Sequence, residues 1–301
     1  MSMRVQHLEG QVAIVTGASR GLGRIYAEKL ASQRMTVALL ARDRFALDTV
    51  SEHIHAVGGN AVVIESDVGD QASIADAFAQ VDERLGRVDL LINCAGDTPA
   101  VGQAWDIDHA QWWRTMEVHV RGSFLCMQEA MRRMVVSGGG RIVNLASRAG
   151  APRWATVSAY SVAKAAIIKL TENVAEEARE KGICVFAFNP GVVQGVGMLE
   201  TASHVATEPG TVWADLGDWF RRRGETGHLV SAERGAEIIV ALAKGECDFL
   251  SGRYLAVGDD FASLRKQARM IENSDVLTMR IREVDWIARK QPAEVSGAGL
   301  R

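Results

Sequence analysis

The chain has 301 residues, 48% hydrophobic and 24% charged, with a net charge of −3 and a pI near 6.2. That length buries a substantial core as one large α/β domain or two small ones. The slightly acidic balance lacks the basic footprint of a nucleic-acid binder, and no apolar run approaches the roughly 18 residues that span a bilayer. Met1 to Gln11 carries charges and no apolar leader core, and Cys94, Cys126, Cys184 and Cys247 are scattered without a C-x-x-C pair. The expectation is a cytoplasmic protein with reduced, buried thiols, no disulfide framework and no metal site.

In chain order, short apolar runs alternate with longer amphipathic ones. Strands are predicted at 12–16, 36–41, 61–65, 88–93, 141–146, 183–188 and 253–257. Unbroken apolar runs of this length suit parallel strands covered on both faces. Helical spacing is predicted at 21–33, 43–57, 70–85, 108–136, 158–181 and 231–243. Such alternation predicts a doubly wound α/β sheet with helices on both faces. One domain over 8–258 is expected, with a lid over 192–230, where the rhythm breaks around Trp213 and Trp219. Beyond it, Phe261, Leu264, Ala268 and Ile271, then Leu277, Ile281, Val284 and Ile287, predict a helical extension over 259–301.

Two motifs carry chemistry. Thr16-Gly17-Ala18-Ser19-Arg20-Gly21-Leu22-Gly23 joins the first strand to the first helix. Glycines there let the backbone approach a pyrophosphate, and the helix N-terminus offers N–H groups and a positive dipole end. Further on, Tyr160 and Lys164 stand one helical turn apart, thirteen residues after Ser147. A free phenol has a pKa of about 10, which a nearby ammonium is expected to lower. A serine hydroxyl alongside would hold a carbonyl oxygen while the tyrosine moves its proton.

The T-G-x-x-x-G-x-G loop, Asn93-Cys94-Ala95-Gly96, Ser147, Tyr160-x-x-x-Lys164 and Pro190-Gly191, all in order over residues 8–258, resemble the short-chain dehydrogenase/reductase family. The resemblance implies a Rossmann fold with a seven-stranded parallel sheet, a nicotinamide dinucleotide, and hydride transfer between an alcohol and a carbonyl. It assigns proton transfer to Tyr160, substrate oxygen binding to Ser147, and charge and ribose binding to Lys164, with Tyr160 also touching the ribose. It places Gly17, Ser19, Arg20, Gly21, Leu22 and Gly23 at the pyrophosphate, and Asp67 and Val68 beside the adenine. Asn93, Ala95 and Gly96 would line the cofactor cleft, and Pro190, Gly191 and Val193 would pack near the nicotinamide. A homodimer or homotetramer through helices 108–136 and 158–181 is also implied, and the tail is expected to pack across a neighbouring subunit.

Cofactor choice turns on the end of the second strand, Leu40-Ala41-Arg42. Alanine stands where NAD-binding folds usually place an acid, and Arg42 with Arg20 is suited to clamp a 2′-phosphate. NADP(H) is therefore the expected cofactor; a one-residue slip to Asp43 would restore the acid and NAD(H).

Two positions depart from the family pattern. His119, in Glu117-Val118-His119-Val120-Arg121-Gly122, stands where an asparagine is usual, and is expected to serve as a variant of the proton-relay position. Gly195 occupies the place of a threonine that usually bonds the carboxamide, with Gln194 as a substitute. Trp105, Arg148, Arg153, Trp154, Trp213, Trp219 and Phe220 in the loops suggest a bulky, partly apolar small-molecule substrate. The leading expectation is a ketone reductase or secondary-alcohol dehydrogenase. The alternatives are a non-redox isomerase or dehydratase on the same fold, and a dinucleotide sensor.

Overall fold

Each predicted apolar run forms a strand, and alternate side chains feed two different cores. In β1 (Val12–Thr16), Ala13 and Val15 face one core while Ile14 faces the other. β4 (Leu90–Asn93) and β5 (Gly140–Leu145) divide the same way: Ile92 and Val143 go to the first core, Leu91 and Ile142 to the second. This two-sided burial is the physical reason these strands read as unbroken apolar runs. The computed structural model describes residues 7–205 and 209–281.

The sheet has seven parallel strands in the order β3-β2-β1-β4-β5-β6-β9, with β2 at Thr36–Ala41, β3 at Asn60–Glu65, β6 at Ile183–Asn189 and β9 at Tyr254–Ala256. Helices α1 (Gly21–Ser32), α2 (Arg44–Ala56) and α9 (Ala232–Ala243) cover the first core. On the second lie α3 (Gln71–Leu85), α5 (Ser123–Ser137) and part of α6 (Ser158–Ala178). Strand order reverses direction between β1 and β4, which opens a crevice at their carboxyl ends where ligands of such sheets bind.

One predicted helix is interrupted. The 108–136 segment divides into α4 (His109–Met116), a π-helical stretch over Glu117–Gly122, and α5. The apolar spacing runs through without a break, so nothing in its pattern marked the extra residue per turn. Such π segments re-aim side chains and recur at functional sites; this one carries His119.

The 192–230 segment forms a small module. β7 (Val192–Val193) and β8 (Leu229–Val230) pair in parallel, and α7 (Gly197–Val205) and α8 (Val212–Glu225) lie between them in sequence.

The tail folds onto its own chain as far as it is described. α10 (Phe261–Lys266) and α11 (Ala268–Glu272) bring Ile271 fully into the first core, with Phe261, Leu264 and Leu277 against it. Arg253 fastens the tail by donating to the carbonyls of Ile271, Ser274 and Val276 at 2.7–2.9 Å. The Tyr254 N–H donates to Leu277 O at 2.8 Å, so the tail covers the edge of β9. Val284 and Ile287 lie outside the described residues. Arg253→Ala frees three carbonyls at once and is expected to lower stability by about 2–3 kcal/mol in urea unfolding, with the midpoint shifting at constant slope. A change below about 0.5 kcal/mol would mean the strap holds without it.

Candidate active site

The crevice is a cleft of about 840 Å³, walled at one end by the glycine loop and at the other by Tyr160 and Lys164. Gly17, Ser19, Arg20, Gly21, Leu22 and Gly23 all line it, as the motif predicts. Gly17 adopts φ +69°, and a side chain there would meet Ala95 Cα at 2.8 Å. A Cβ on Gly23 would overlap the Gly17 carbonyl, lying 2.7 Å from its carbon. Thr16 holds the other wall: its hydroxyl accepts from the Cys94 and Ala95 N–H groups at 3.1 and 3.0 Å. The first turn of α1 has no side-chain cap and no acid, whereas Asp43, Asp70 and Asp108 cap α2, α3 and α4. Free N–H groups, a positive dipole end and a cradle with no room for side chains fit a dinucleotide pyrophosphate.

Ala41, Arg42, Asp43, Asp67 and Val68 line the far end. Asp43 is engaged as the N-cap of α2, accepting from Ala46 N–H at 3.0 Å. Among the described residues, neither Arg20 nor Arg42 has an ion-pair partner. Asp67 accepts from Gly69 N–H at 2.8 Å and from Arg114 Nη2 at 3.3 Å.

At the other end, α6 carries Tyr160 and Lys164 on one face, as the i, i+4 spacing dictates. Lys164 is buried, and Nζ donates to Leu145 O at 2.7 Å and sits 5.5 Å from the Tyr160 ring centre. Burial lowers its pKa to about 8. Tyr160 departs from the expectation that the ammonium depresses it. Burial pushes the phenol above its ordinary value, and the opposing pull comes from a hydrogen bond with Ser147. Loss of solvation outweighs that bond, so Tyr160 stands protonated at neutral pH, the form that donates. Ser147 lies two residues past β5 in extended backbone, and its hydroxyl accepts from Ala149 N–H at 3.2 Å.

His119 reaches this centre from the π-helical stretch. It is 5% exposed, and its ring meets the Tyr160 ring edge-on at 5.7 Å. It also packs on Gly96, where a Cβ would come within 2.7 Å of His119 Cε1. Nε2 faces Asp97 Oδ1 at 3.6 Å, too long for a hydrogen bond. Burial and Lys164 lower the imidazole pKa, with Asp97 opposing them, so the ring is neutral at pH 7.

Some predicted contacts lie elsewhere. Ala95, Gly96 and Pro190 line the cleft, but Asn93 stands behind the wall, bracing Ser123 O at 3.1 Å and Asn144 Oδ1 at 2.9 Å. A side chain that bridges two strands and a helix is held by the sheet and has no reach into the crevice. Gly191 packs against Val230 and Val257, and Val193 is buried; neither lines the cleft. Gly195 and Gln194 are exposed and absent from the wall, to which α7 contributes Glu200 and Thr201 instead.

Beside Tyr160, the 192–230 module and the loop before α6 make an aromatic wall. Trp154 lies 5.2 Å from Trp219, which meets Phe220 at 4.9 Å, and Trp213, Leu216 and Val157 complete the cluster. Arg223 stacks over Trp219 at 4.8 Å. The loop into α6 holds Thr156 at φ +63°, and its carbonyl accepts from Gly102 N–H at 2.8 Å, tying the loop after β4 to the loop before α6. Trp105 is 79% exposed, and Arg148 and Arg153 face solvent.

Sequence reasoning missed Arg114 and Asp97, both on the cleft wall. Arg114 bridges Asp67 at 3.3 Å, Glu117 at 3.7 Å and Asp97 at 4.0 Å. The only signal for it was a charge inside a predicted helix, which is ordinarily a solvated face. No group of metal-ligating residues occurs among the described residues, and no helix of theirs is long and apolar enough to cross a membrane. All four cysteines are free, with thiol pKa values pushed up to about 12 by burial.

Comparisons with known proteins agree with this geometry. The short chain dehydrogenase family model matches residues 11–206. A cis-4-hydroxycyclohexanecarboxylate dehydrogenase of Sinomonas cyclohexanicum is 32% identical over 254 residues, covering 84% of this chain and 97% of its own. A 2-dehydro-3-deoxy-L-rhamnonate dehydrogenase (NAD(+)) of Sphingomonas sp. is 31% identical over 249 residues, covering 83% and 94%. Among solved structures, a short-chain type dehydrogenase/reductase from Mycobacterium marinum aligns with TM-score 0.72 at 28% identity, covering 83% of this chain and 94% of that one. NAD+-bound xylitol dehydrogenase aligns with TM-score 0.75 at 26% identity, covering 83% and 98%. The chain therefore belongs to the short-chain dehydrogenase/reductase family, as an NAD(P)-dependent oxidoreductase of alcohols and carbonyls.

Proposed function

We propose that this protein transfers a hydride between NADP(H) and a bulky, partly apolar ketone or secondary alcohol, with Tyr160 as the acid–base group. The observation that carries the reading is one continuous cleft joining the glycine cradle to Tyr160 and Lys164, with the Ser147 hydroxyl close enough to the phenol to pull its pKa down against burial. The nicotinamide, when bound, supplies or accepts the hydride. Tyr160 Oη holds the proton destined for the carbonyl oxygen, and Ser147 Oγ holds that oxygen in line with it. Lys164, fixed by Leu145 O, places a positive charge under the tyrosine as it loses its proton. The aromatic wall of Trp154, Trp213 and Trp219 excludes water from one side and favours an apolar substrate body. The Sinomonas relative is named for a ring alcohol bearing a carboxylate, which is the same chemical class. Exposed Trp113, Phe124 and Val162 on α4, α5 and α6 support assembly as a homodimer or homotetramer through those helices.

NADP(H) preference rests on the guanidiniums of Arg20 and Arg42, which have no ion-pair partner among the described residues, and on the capping role of Asp43, which engages the carboxylate next to Arg42 and draws it away from a ribose hydroxyl. Each charged contact to a 2′-phosphate is worth about 1.5–3 kcal/mol. Replacing Arg20 and Arg42 by serine is therefore expected to raise KM for NADPH by about 100-fold while changing KM for NADH less than threefold. Equal effects on both cofactors would reject the preference. Stoichiometric NADPH consumption against a ketone panel tests the reaction class, since isomerisation, dehydration or dinucleotide sensing leaves the cofactor unconsumed.

A further inference from the structure

The cleft wall carries a cation, Arg114, whose guanidinium joins elements other than its own helix α4. It donates from Nη2 to Asp67 Oδ2 at 3.3 Å, in the loop after β3. It also lies 4.0 Å from Asp97 Oδ2, in the loop after β4, and 3.7 Å from Glu117 Oε2, one turn further along. The seat is cut to its shape: a Cβ on Gly69 would come within 2.5 Å of Arg114 Nη1 and 3.0 Å of Cζ. The π-helical stretch holds the same loop at two more points. Arg121 donates to Gly69 O at 3.2 Å, and a Cβ on Gly122 would lie 2.5 Å from Val68 O. Asp67 Oδ1 accepts from Gly69 N–H at 2.8 Å, so each of its oxygens has one partner. A carboxylate has about four acceptor positions. Acceptor capacity therefore remains on a side chain that borders the cleft.

The pyrophosphate fits the glycine cradle and the reacting ring belongs at the Tyr160 end. The far end, with Arg42, Asp67 and Val68, is then left for the adenosine. Adenine offers one donor group, its exocyclic amine, and an ionised carboxylate can only accept. Resting on this placement of the dinucleotide, we propose that Arg114 is a positioning residue for base recognition. Seated in the notch left by Gly69, it sets the Asp67 carboxylate so that the site selects a 6-aminopurine dinucleotide over one with an oxo group at that position. The oxo group would turn an acceptor toward an acceptor. A planar guanidinium suits the task, because it lies flat against the loop while its fork fixes the carboxylate. The selection does not involve the 2′-phosphate, so it acts on NADPH and NADH alike.

Arg114→Gln removes the charge and the fork. In fluorescence titrations, Kd for NADPH and for NADH should each rise about tenfold, with kcat within about twofold of the parent. A base analogue separates positioning from general support of the loop. The parent should bind the reduced nicotinamide hypoxanthine dinucleotide phosphate about tenfold more weakly than NADPH. Arg114→Gln should change Kd for that analogue by less than about twofold, since the lost contact is already absent. Gly69→Ala displaces the guanidinium without altering any charge, so it should reproduce the loss for NADPH. The double variant should bind no more weakly than Arg114→Gln alone, because the two changes act on one contact. An unchanged NADPH Kd in Arg114→Gln overturns the inference. Equal losses for both bases do the same, because they would make Arg114 a general brace. A parent that prefers NADH rejects the 2′-phosphate preference and leaves this inference standing. A parent that binds neither dinucleotide overturns both this inference and the reading it rests on. If Arg114→Gln fails to fold, Gly69→Ala and the parent's ratio between the two bases decide.

Discussion

Tyr160→Phe should lower kcat for ketone reduction by about 10²–10⁴-fold, the span of positioned general-acid catalysis, with NADPH affinity within about threefold of the parent. The substitution removes only the hydroxyl. The ring keeps its contact with His119 at 5.7 Å and its place beside Trp154 and Val157, so the aromatic cluster has no cause to move. Steady-state NADPH absorbance gives the rate and a fluorescence titration gives the affinity. A loss under about fivefold would reassign the acid, because water alone does not replace a positioned proton donor that cheaply. The pH dependence follows from the same geometry. Burial holds the phenol protonated above its ordinary range, so reduction should persist through neutral pH. Oxidation needs the phenolate and should rise with pH. Lys164 loses its charge near about 8, and above that the phenolate loses its support, which flattens the rise.

Gly23→Ala should weaken NADPH binding by about 100-fold or more, equivalent to at least ~2.7 kcal/mol. In most helices this change stabilises by up to ~1 kcal/mol, because alanine has the better propensity. Here the added methyl would run into the Gly17 carbonyl, and Ala18 Cα lies 3.2 Å away. Both neighbours are backbone, so no rotamer change relieves the overlap. Either α1 shifts away from β1 or the loop opens, and both moves withdraw N–H groups from the pyrophosphate. Overpacking of this kind costs about 1–3 kcal/mol of stability, so Tm should fall as well. Wild-type NADPH affinity in a folded Gly23→Ala protein would remove this loop from the cofactor site.

Much of the site was legible because its parts are local. The glycine loop is eight consecutive residues, and Tyr160 and Lys164 are one turn apart, so chain geometry alone puts each group together. The seven strands were legible because burial on both faces leaves no polar alternation to confuse. Asn93 was misplaced for the opposite reason. Its motif neighbours Ala95 and Gly96 do reach the cleft, but its own side chain turns into the sheet to bond Asn144 on β5. Whether a residue at a strand end points into a crevice or a core depends on the neighbouring strand, which local pattern does not encode. The tail shows the same limit. Helical spacing identified Ile271 as a buried position, yet which surface buries it, here its own first core, was decided by the carbonyls that Arg253 gathers.

By itself, the sequence determined the sheet, the glycine loop, and the placing of Tyr160 and Lys164 on one helix face, because those rest on short-range spacing and on apolar periodicity. Only the tertiary structure decided the charge state of Tyr160, since desolvation depends on everything packed around the phenol. It alone brought Asp97 opposite His119, 22 positions apart in sequence (119 − 97), because an unmarked π-helical stretch sets where that imidazole points. Long-range contacts and solvation are properties of the folded surface, and no window of residues carries them.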